Sequence, residues 1–411
     1  MDTYVRARTG GTTLRTLVPR VALTLFVAAA SGLAGCQAAP SIPGAQQSGL
    51  SPSATVEPPR PSTVPSSTPS TPGTPQDSAA APGTGSHGHP SSTKPQHVFV
   101  INLENKDYDA VWGPGSEAPY LSGTLRGQGL LLTQYYGTAH HSAPDYIAQI
   151  SGQASNPANR DDCPTYEPLK LEGTADPGQI LGSGCVYPAS VPTLPGQLQA
   201  AGKTWKGYME DMGKPCRHPA LGEEDRDQKA KDGDQYATRH NPFVYFQSIT
   251  SSPDCAARVV DFSRLHEDLR SVGTTPNLSY ITPNLCNDGH DSPCVDGQPG
   301  GLASADSWLQ KQIPPILDSP AFRKDGLLVI TFDEADGDST GPGQIPGGTD
   351  GGRVGALVLS PFTKAGTASD TVFNHFSLLA SIEDLFALPR LGYAAAPGLD
   401  SFLAAVLNAR P

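Results

Sequence analysis

The chain has 411 residues, with 28 basic and 40 acidic side chains and a net charge of −12 at neutral pH. That balance argues against holding nucleic acid by phosphate neutralisation, which needs basic patches, and against charge-driven adhesion to anionic lipid. If so acidic a chain handles phosphate, a local site must overcome the overall field, and a metal would do that.

Arg6, Arg8, Arg15 and Arg20 precede the apolar run "VALTLFVAAASGL", which is too short and too poorly flanked for a permanent membrane span. The run ends in "LAGC", which resembles a bacterial lipobox, with Leu33 three residues before Cys36. The resemblance implies a lipoprotein signal peptide over residues 1–35 and a lipid on Cys36. Ordinary secretion with a chance cysteine is the alternative. Residues 36–95 are typified by "PPRPSTVPSSTPSTPGTP", a composition that cannot bury enough apolar surface to offset its ordering entropy. They read as a disordered tether on an exported, membrane-anchored protein, with His87 and His89 as solvated tether residues. Residues 96–411 suffice for one large α/β domain with a substantial core.

That domain opens with the apolar run Val98 to Leu103, which ends in Glu104-Asn105. Next comes "TAHHSAPDYIAQISGQ", where His140, His141 and Ser142 stand before a helix start, and Ser142 reads as its cap. "VPTLPGQLQAAG" reads as a helix, and "NLSYITP" as a strand leading into the loop "CNDGHDSPC". "SADSWLQKQIPPIL" is the next helix. The apolar run Leu327 to Phe332 then ends in Asp333-Glu334, repeating the design of the first strand. After the Gly-rich "GPGQIPGGTDGG" come a strand, "VGALVLSPF", and a helix, "NHFSLLASIEDLFAL". Near-continuous apolar strands are buried on both faces, as in parallel sheets flanked by helices. The alternation predicts a three-layer α/β/α sandwich with a mostly parallel central sheet and a ligand site beyond the strand ends.

Apart from Cys36, six cysteines remain: Cys163, Cys185, Cys216, Cys255, Cys286 and Cys294. An even number in an exported chain points to disulfides, and the spacing suggests nearest-neighbour pairs, 163–185, 216–255 and 286–294. Zinc is the competing reading, but no C-x-x-C pair occurs.

Glu104, Asn105, Asp333 and Glu334 offer hard oxygen ligands, suited to a divalent ion of the Mg, Ca or Mn class. A serine at a helix N-terminus adds a place for an anion. Together these ingredients suit phosphoryl transfer, with Ser142 attacking in line.

From about residue 96 to 395 the chain resembles the bacterial phosphoesterase family of secreted acid phosphatases and phospholipases C, within the alkaline-phosphatase-like superfamily. "LENKDYDAVWG" resembles its opening Glu-Asn metal motif, and "HHSAPDYIAQISG" its nucleophile motif. "PNLCNDGHD", "VITFDEADG", "GGRVGALVLSPF" and "FNHFSLLASIEDLFAL" resemble later blocks, in the same order. The resemblance implies that Ser142 forms a phosphoseryl intermediate. Glu104, Asn105, Asp333, Glu334 and the Ser142 oxygen would bind metal. His290 would bind phosphate or protonate the leaving group, and His140 matches a histidine before the nucleophile. His240 and His375 are further candidates for substrate binding, with a structural role for His240 and N-capping by Asn374 as their alternatives.

Two departures stand beside the nucleophile: Asp145 replaces an asparagine and His141 a proline. An extra carboxylate there would repel phosphate at high pH, which fits an acidic optimum. "DEADGDSTGPGQ" lacks the Gly-Gly that often follows Asp-Glu, and its "DGDST" fails the spacing of a calcium loop. The expected function is phosphomonoester hydrolysis. Phospholipase C-like diester cleavage is the alternative, and a non-catalytic ligand-binding lipoprotein a third reading. The implied partners are a small phosphorylated substrate or a phospholipid headgroup, and the membrane through the lipid.

Overall fold

The computed structural model describes residues 94–408 apart from 338, 343 and 344. The expected signal peptide, Cys36 and most of the expected tether, with His87 and His89, lie outside the described residues. Among the described residues ten strands form two sheets. They are β1 (His97–Leu103), β2 (Leu130–Tyr136), β3 (Lys170–Ala175), β4 (Gln179–Ser183) and β5 (Trp205–Met209). The others are β6 (Val259–Asp261), β7 (Leu278–Thr282), β8 (Gly326–Phe332), β9 (Ala356–Leu359) and β10 (Thr367–Asn374).

The main sheet has the order β10-β2-β9-β8-β1-β7-β5-β6, and β3 and β4 form a separate hairpin. Only β9 runs antiparallel to its neighbours in the main sheet. The expected mostly parallel sheet is therefore present. The runs expected at Val98–Leu103 and Leu327–Phe332 are its central strands β1 and β8, buried at every position. Burial on both faces requires a cover on both sides, and two groups of helices supply it. Ser142–Ser151 packs on His375–Phe386, with Leu194–Ala200 against both, while Gly301–Asp318 packs on Pro320–Asp325, which lies against β1 and β8. This is the three-layer α/β/α arrangement.

Six strands were not anticipated in sequence: β2, β5, β6 and β10 of the main sheet, and the hairpin strands β3 and β4. β10 alternates exposure along much of its length, as an edge strand does. Its last residue, Asn374, caps the helix His375–Phe386 through a reciprocal bond with Ser377, so the alternative reading of Asn374 as an N-cap holds. All three disulfides pair as the spacing suggested: Cys163–Cys185, Cys216–Cys255 and Cys286–Cys294. Among the described residues no helix is long and apolar enough to cross a membrane.

Candidate active site

Register decides which side chains meet. In the parallel pairing of β1 with β8, Leu103 lies opposite Phe332. The next residues, Glu104 and Asp333, therefore leave the sheet side by side, and the Asp333 N–H still donates to the Leu103 carbonyl at 2.9 Å. Asn105 ties the two carboxylates together. Its backbone N–H donates to Asp333 Oδ1 (3.0 Å) and its side-chain amide to Glu104 Oε2 (2.7 Å). It does so from a left-handed backbone (φ 50°), which asparagine tolerates better than most residues. On the other side of β1, the loop after β7 brings in Asp288, whose carbonyl accepts from the Glu104 N–H at 2.9 Å.

Strand β2 delivers the nucleophile candidate. After it the chain turns through residues 137–141 into the helix Ser142–Ser151. Pro144 is accommodated in the first turn, where its missing N–H has no intrahelical acceptor, and Gly152 (φ 70°) ends the helix in the left-handed conformation. Ser142 is not the cap it was expected to be. The N-cap position is His141, at the unusual φ of 148°, and no side chain caps there. Ser142 is instead the first helical residue, and its hydroxyl donates across the site to Glu104 Oε2 at 3.0 Å. The free N–H of Ala143 is taken by Asp162 Oδ1 (2.9 Å).

Asp145 also departs from expectation. Its carboxylate does not face incoming phosphate. It is fully buried, accepts from Thr138 N, Thr138 Oγ1 and Ala139 N, and so staples the turn before the helix. The extra carboxylate is a fold element.

Beneath Ser142 the polar groups are crowded. Glu104, Asp288 and Asp333 are fully buried, and Glu334 nearly so. His240 stands between two of them, Nε2 at 2.9 Å from Glu104 Oε1 and Nδ1 at 3.3 Å from Asp288 Oδ2, stacked parallel on Tyr146. These are ion-pair distances without hydrogen-bond alignment, and Glu104 Oε1, Asp288 Oδ2, Asp333 Oδ2 and both ring nitrogens have no aligned partner. Burial alone would raise the Glu104 carboxyl, but the charge of the adjacent His240 holds it well below the usual range. Burial and the charge of Glu104 push Asp333 well up, while burial and the nearby Asp145 and Glu104 push Glu334 to about 10.

So many carboxylates in so little water cannot all ionise unaided, since an unpaired buried charge costs several kcal/mol. Orphaned, buried, hard oxygen atoms in one place are what a divalent cation requires. The donor set fits one, and Glu104, His240 and Asp288 also form a compact triad of possible ligands. The other such cluster, Cys286, Cys294 and Asp296, has both its sulfurs committed to a disulfide.

Above these groups opens a cleft of about 300 Å³, lined among others by Asn105, His140, Ser142, Arg239, His290 and Glu334. His140 is set by Glu334 Oε2 (3.2 Å) and the Ser339 carbonyl (2.8 Å). His290 lies on the disulfide-closed loop, with Nδ1 at 2.7 Å from Asp291 Oδ1 and its backbone N–H donating to Asp288 Oδ1.

Two of the substrate-binding candidates do not reach the cleft. His240 lies under it, between Glu104 and Asp288, because both its nitrogens are drawn to buried carboxylates. His375 is fully enclosed at the start of its helix. Its Nε2–H donates to the Asp333 carbonyl (2.6 Å), leaving Nδ1 to accept from Tyr135 and Gln149. Burial lowers its pKa to about 4, so it stays neutral, and it fixes the end of β8.

Arg239, Asp162 and Asp288 were missed. Arg239 is only 6% exposed yet lines the cleft, with one hydrogen bond, to the Gln228 carbonyl. Its position beside His240 in "TRHNPF" was the signal available.

Residues 118–389, more than half of the chain, match the Phosphoesterase family. Glu104 and Asn105 precede the matched span. The chain is 29% identical over 292 residues to a phosphate-repressible acid phosphatase of Penicillium chrysogenum, covering 71% of this chain but only 59% of that protein. It is 28% identical over 298 residues to a phosphatidylinositol-3-phosphatase of Mycobacterium tuberculosis, covering 72% of this chain and 79% of that one. Among solved structures, a protein of the alkaline phosphatase superfamily from Vibrio parahaemolyticus matches with a TM-score of 0.44 at 12% identity. That match covers 74% of this chain and 70% of the other, and it is too distant to support more. The resemblance read from the ordered motifs therefore holds, and the chain belongs to the Phosphoesterase family.

Proposed function

We propose that this chain is an exported phosphoester hydrolase of the acid phosphatase type, acting on phosphomonoesters through a phosphoserine formed on Ser142. One observation carries the reading. The Ser142 hydroxyl donates to the buried Glu104 carboxylate at 3.0 Å, at a helix start that opens on a cleft lined by His140, His290 and Arg239.

Glu104, which already accepts from the Ser142 hydroxyl, takes that proton as Oγ attacks phosphorus. A helix N-terminus contributes only about 0.3–1 kcal/mol toward an anion. The buried Arg239 guanidinium is the larger attraction for phosphate in this acidic surrounding. His290 has Nδ1 engaged by Asp291, so Nε2 is left to serve the departing alcohol. The ester P–O bond breaks, the alcohol oxygen takes the Nε2 proton, and the phosphoryl group stays on Ser142. Water then attacks phosphorus and gives its proton to His290, the Ser142 oxygen recovers its proton from Glu104, and inorganic phosphate leaves.

Glu104 and Asp333, with Asn105, Glu334 and the Ser142 oxygen beside them, would hold a divalent cation of the Mg, Ca or Mn class. When bound, such an ion supplies positive charge against the phosphate oxygens.

Both curated relatives named above are phosphatases by name, which supports a monoester over a diester. The purified protein is expected to turn over phenyl phosphate faster than diphenyl phosphate or phosphatidylcholine. Faster cleavage of either diester would make it a phospholipase C-like phosphodiesterase, and no cleavage of any would favour the non-catalytic lipoprotein.

Three disulfides suit an oxidising compartment, and the "LAGC" sequence supports lipid anchoring at Cys36 on the extracytoplasmic side. Cys36→Ser is expected to move the protein from the membrane fraction to the soluble fraction or to block its processing. A processed, membrane-associated variant would contradict lipidation there.

A further inference from the structure

Arg239 and His290 line the catalytic cleft on one side and a second pocket, of about 460 Å³, on the other. Nothing in the chemistry above uses that second pocket. In the proposed reaction His290 serves the departing oxygen, so the alcohol portion of the substrate extends past it. We propose that the second pocket binds this leaving group and favours one built as a flat apolar body carrying a second anionic group, such as an aryl ring with a carboxylate or a further phosphate. The inference rests on the phosphomonoesterase reading.

Three features of the pocket support it. Leu285, Pro293 and Val295 supply apolar wall, and Val295 is left 47% exposed, an unusual state for a large aliphatic side chain of this protein. Lys229 supplies positive charge. On the same loop Lys231 pairs with Asp227 (2.9 Å), and Arg217 pairs with Asp227 and Asp234, whereas Lys229 has no ion-pair partner among the described residues. The acidic group in the pocket, Asp291, is already engaged by His290, so it does not cancel Lys229.

The wall is also preformed. Gln228, next to Lys229, donates to the Asp162 carbonyl (2.8 Å) and to Asp225 Oδ2 (2.7 Å), while its own carbonyl accepts from Arg239. On the opposite side, Pro293 lies in the loop closed by Cys286–Cys294. A volume of this size suits a single substituted ring, and fixed walls keep the ordering cost of binding low.

Two pairs of compounds test the inference. Hydrolysis of phenyl phosphate and of 4-carboxyphenyl phosphate reads the phosphatase activity itself. Binding of benzylphosphonate and 4-carboxybenzylphosphonate, by calorimetry on the full-length protein, reads the pocket without any turnover. The carboxylated phosphonate is expected to bind about fivefold more tightly, in the range of a part-exposed ion pair, and Lys229→Ala should bring that ratio close to one. Val295→Asp should reverse it. Absence of turnover with both esters would sink the phosphatase reading and leave the binding ratio as the judge of the pocket. Equal binding of the two phosphonates, no binding of either, or a ratio that Lys229→Ala leaves in place would overturn the proposal.

Discussion

Replacing Ser142 with alanine is expected to reduce kcat by on the order of 10⁴- to 10⁶-fold, the loss typical of removing a nucleophile. The fold should survive. Ser142 does not cap its helix, and the bond it loses is one hydroxyl contact to the Glu104 carboxylate, worth about 1.5–3 kcal/mol. Glu104 Oε2 keeps the Asn105 amide as a donor, so no carboxylate oxygen is orphaned by the change. A domain stable by roughly 5–15 kcal/mol tolerates that loss. Steady-state rates on phenyl phosphate and a thermal melt of the same sample separate the outcomes. Collapse of the melt would make Ser142 a structural residue, and retention of more than about a hundredth of the activity would remove it from the chemistry.

The second large effect concerns the strand-end carboxylates. Glu104→Gln and Asp333→Asn are each expected to abolish tight binding of the divalent cation and to lower turnover by at least about 100-fold. Burial and Glu104 already keep the Asp333 carboxyl protonated in the absence of metal, so metal-free Asp333→Asn should melt close to the parent, whereas Glu104→Gln removes the buried partner of His240 and should melt lower. The parent should gain stability on adding Mn²⁺, because an ion that binds only the folded state raises the melting temperature. The variants should lose most of that gain. Elemental analysis of the purified proteins checks the same point directly. Variants with both metal content and turnover undiminished would refute the assignment of these two residues.

Much of this site was readable because two apolar strands announce their own ends. Val98–Leu103 and Leu327–Phe332 are continuous, and a parallel register carries the pairs that follow them, Glu104-Asn105 and Asp333-Glu334, to one edge. "HHSAPDY" was readable for a similar reason: a polar cluster ahead of an apolar helix stands out in any surrounding. What could not be read was depth. The block "NHFSLL" marks a helix start correctly, but only the packing of that helix on Ser142–Ser151 shows that His375 is sealed beneath the cleft. Asp145 poses the same difficulty. A carboxylate three residues after the nucleophile looks exposed to substrate until the turn at Thr138 folds back onto it.

Arg239 and Asp162 lie on long connections whose course is set by Cys163–Cys185, Cys216–Cys255 and the salt bridges of Arg217. No local periodicity encodes where such loops return. Strands β5 and β6 escaped because they are short, and β3, β4 and β10 because much of each is exposed; β2 is seven residues long and mostly buried, and it was simply overlooked.

The central claim is a covalent phosphoryl group on Ser142, and rapid quenching tests it most directly. Protein mixed with excess aryl phosphate, stopped in acid and digested, is predicted to yield an acid-stable, alkali-labile phosphoserine on the peptide containing "HHSAPDY". His140 and His141 are the rival acceptors in that stretch, and a phosphohistidine behaves in the opposite way. An adduct on this peptide that survives alkali and is lost in acid would contradict the account.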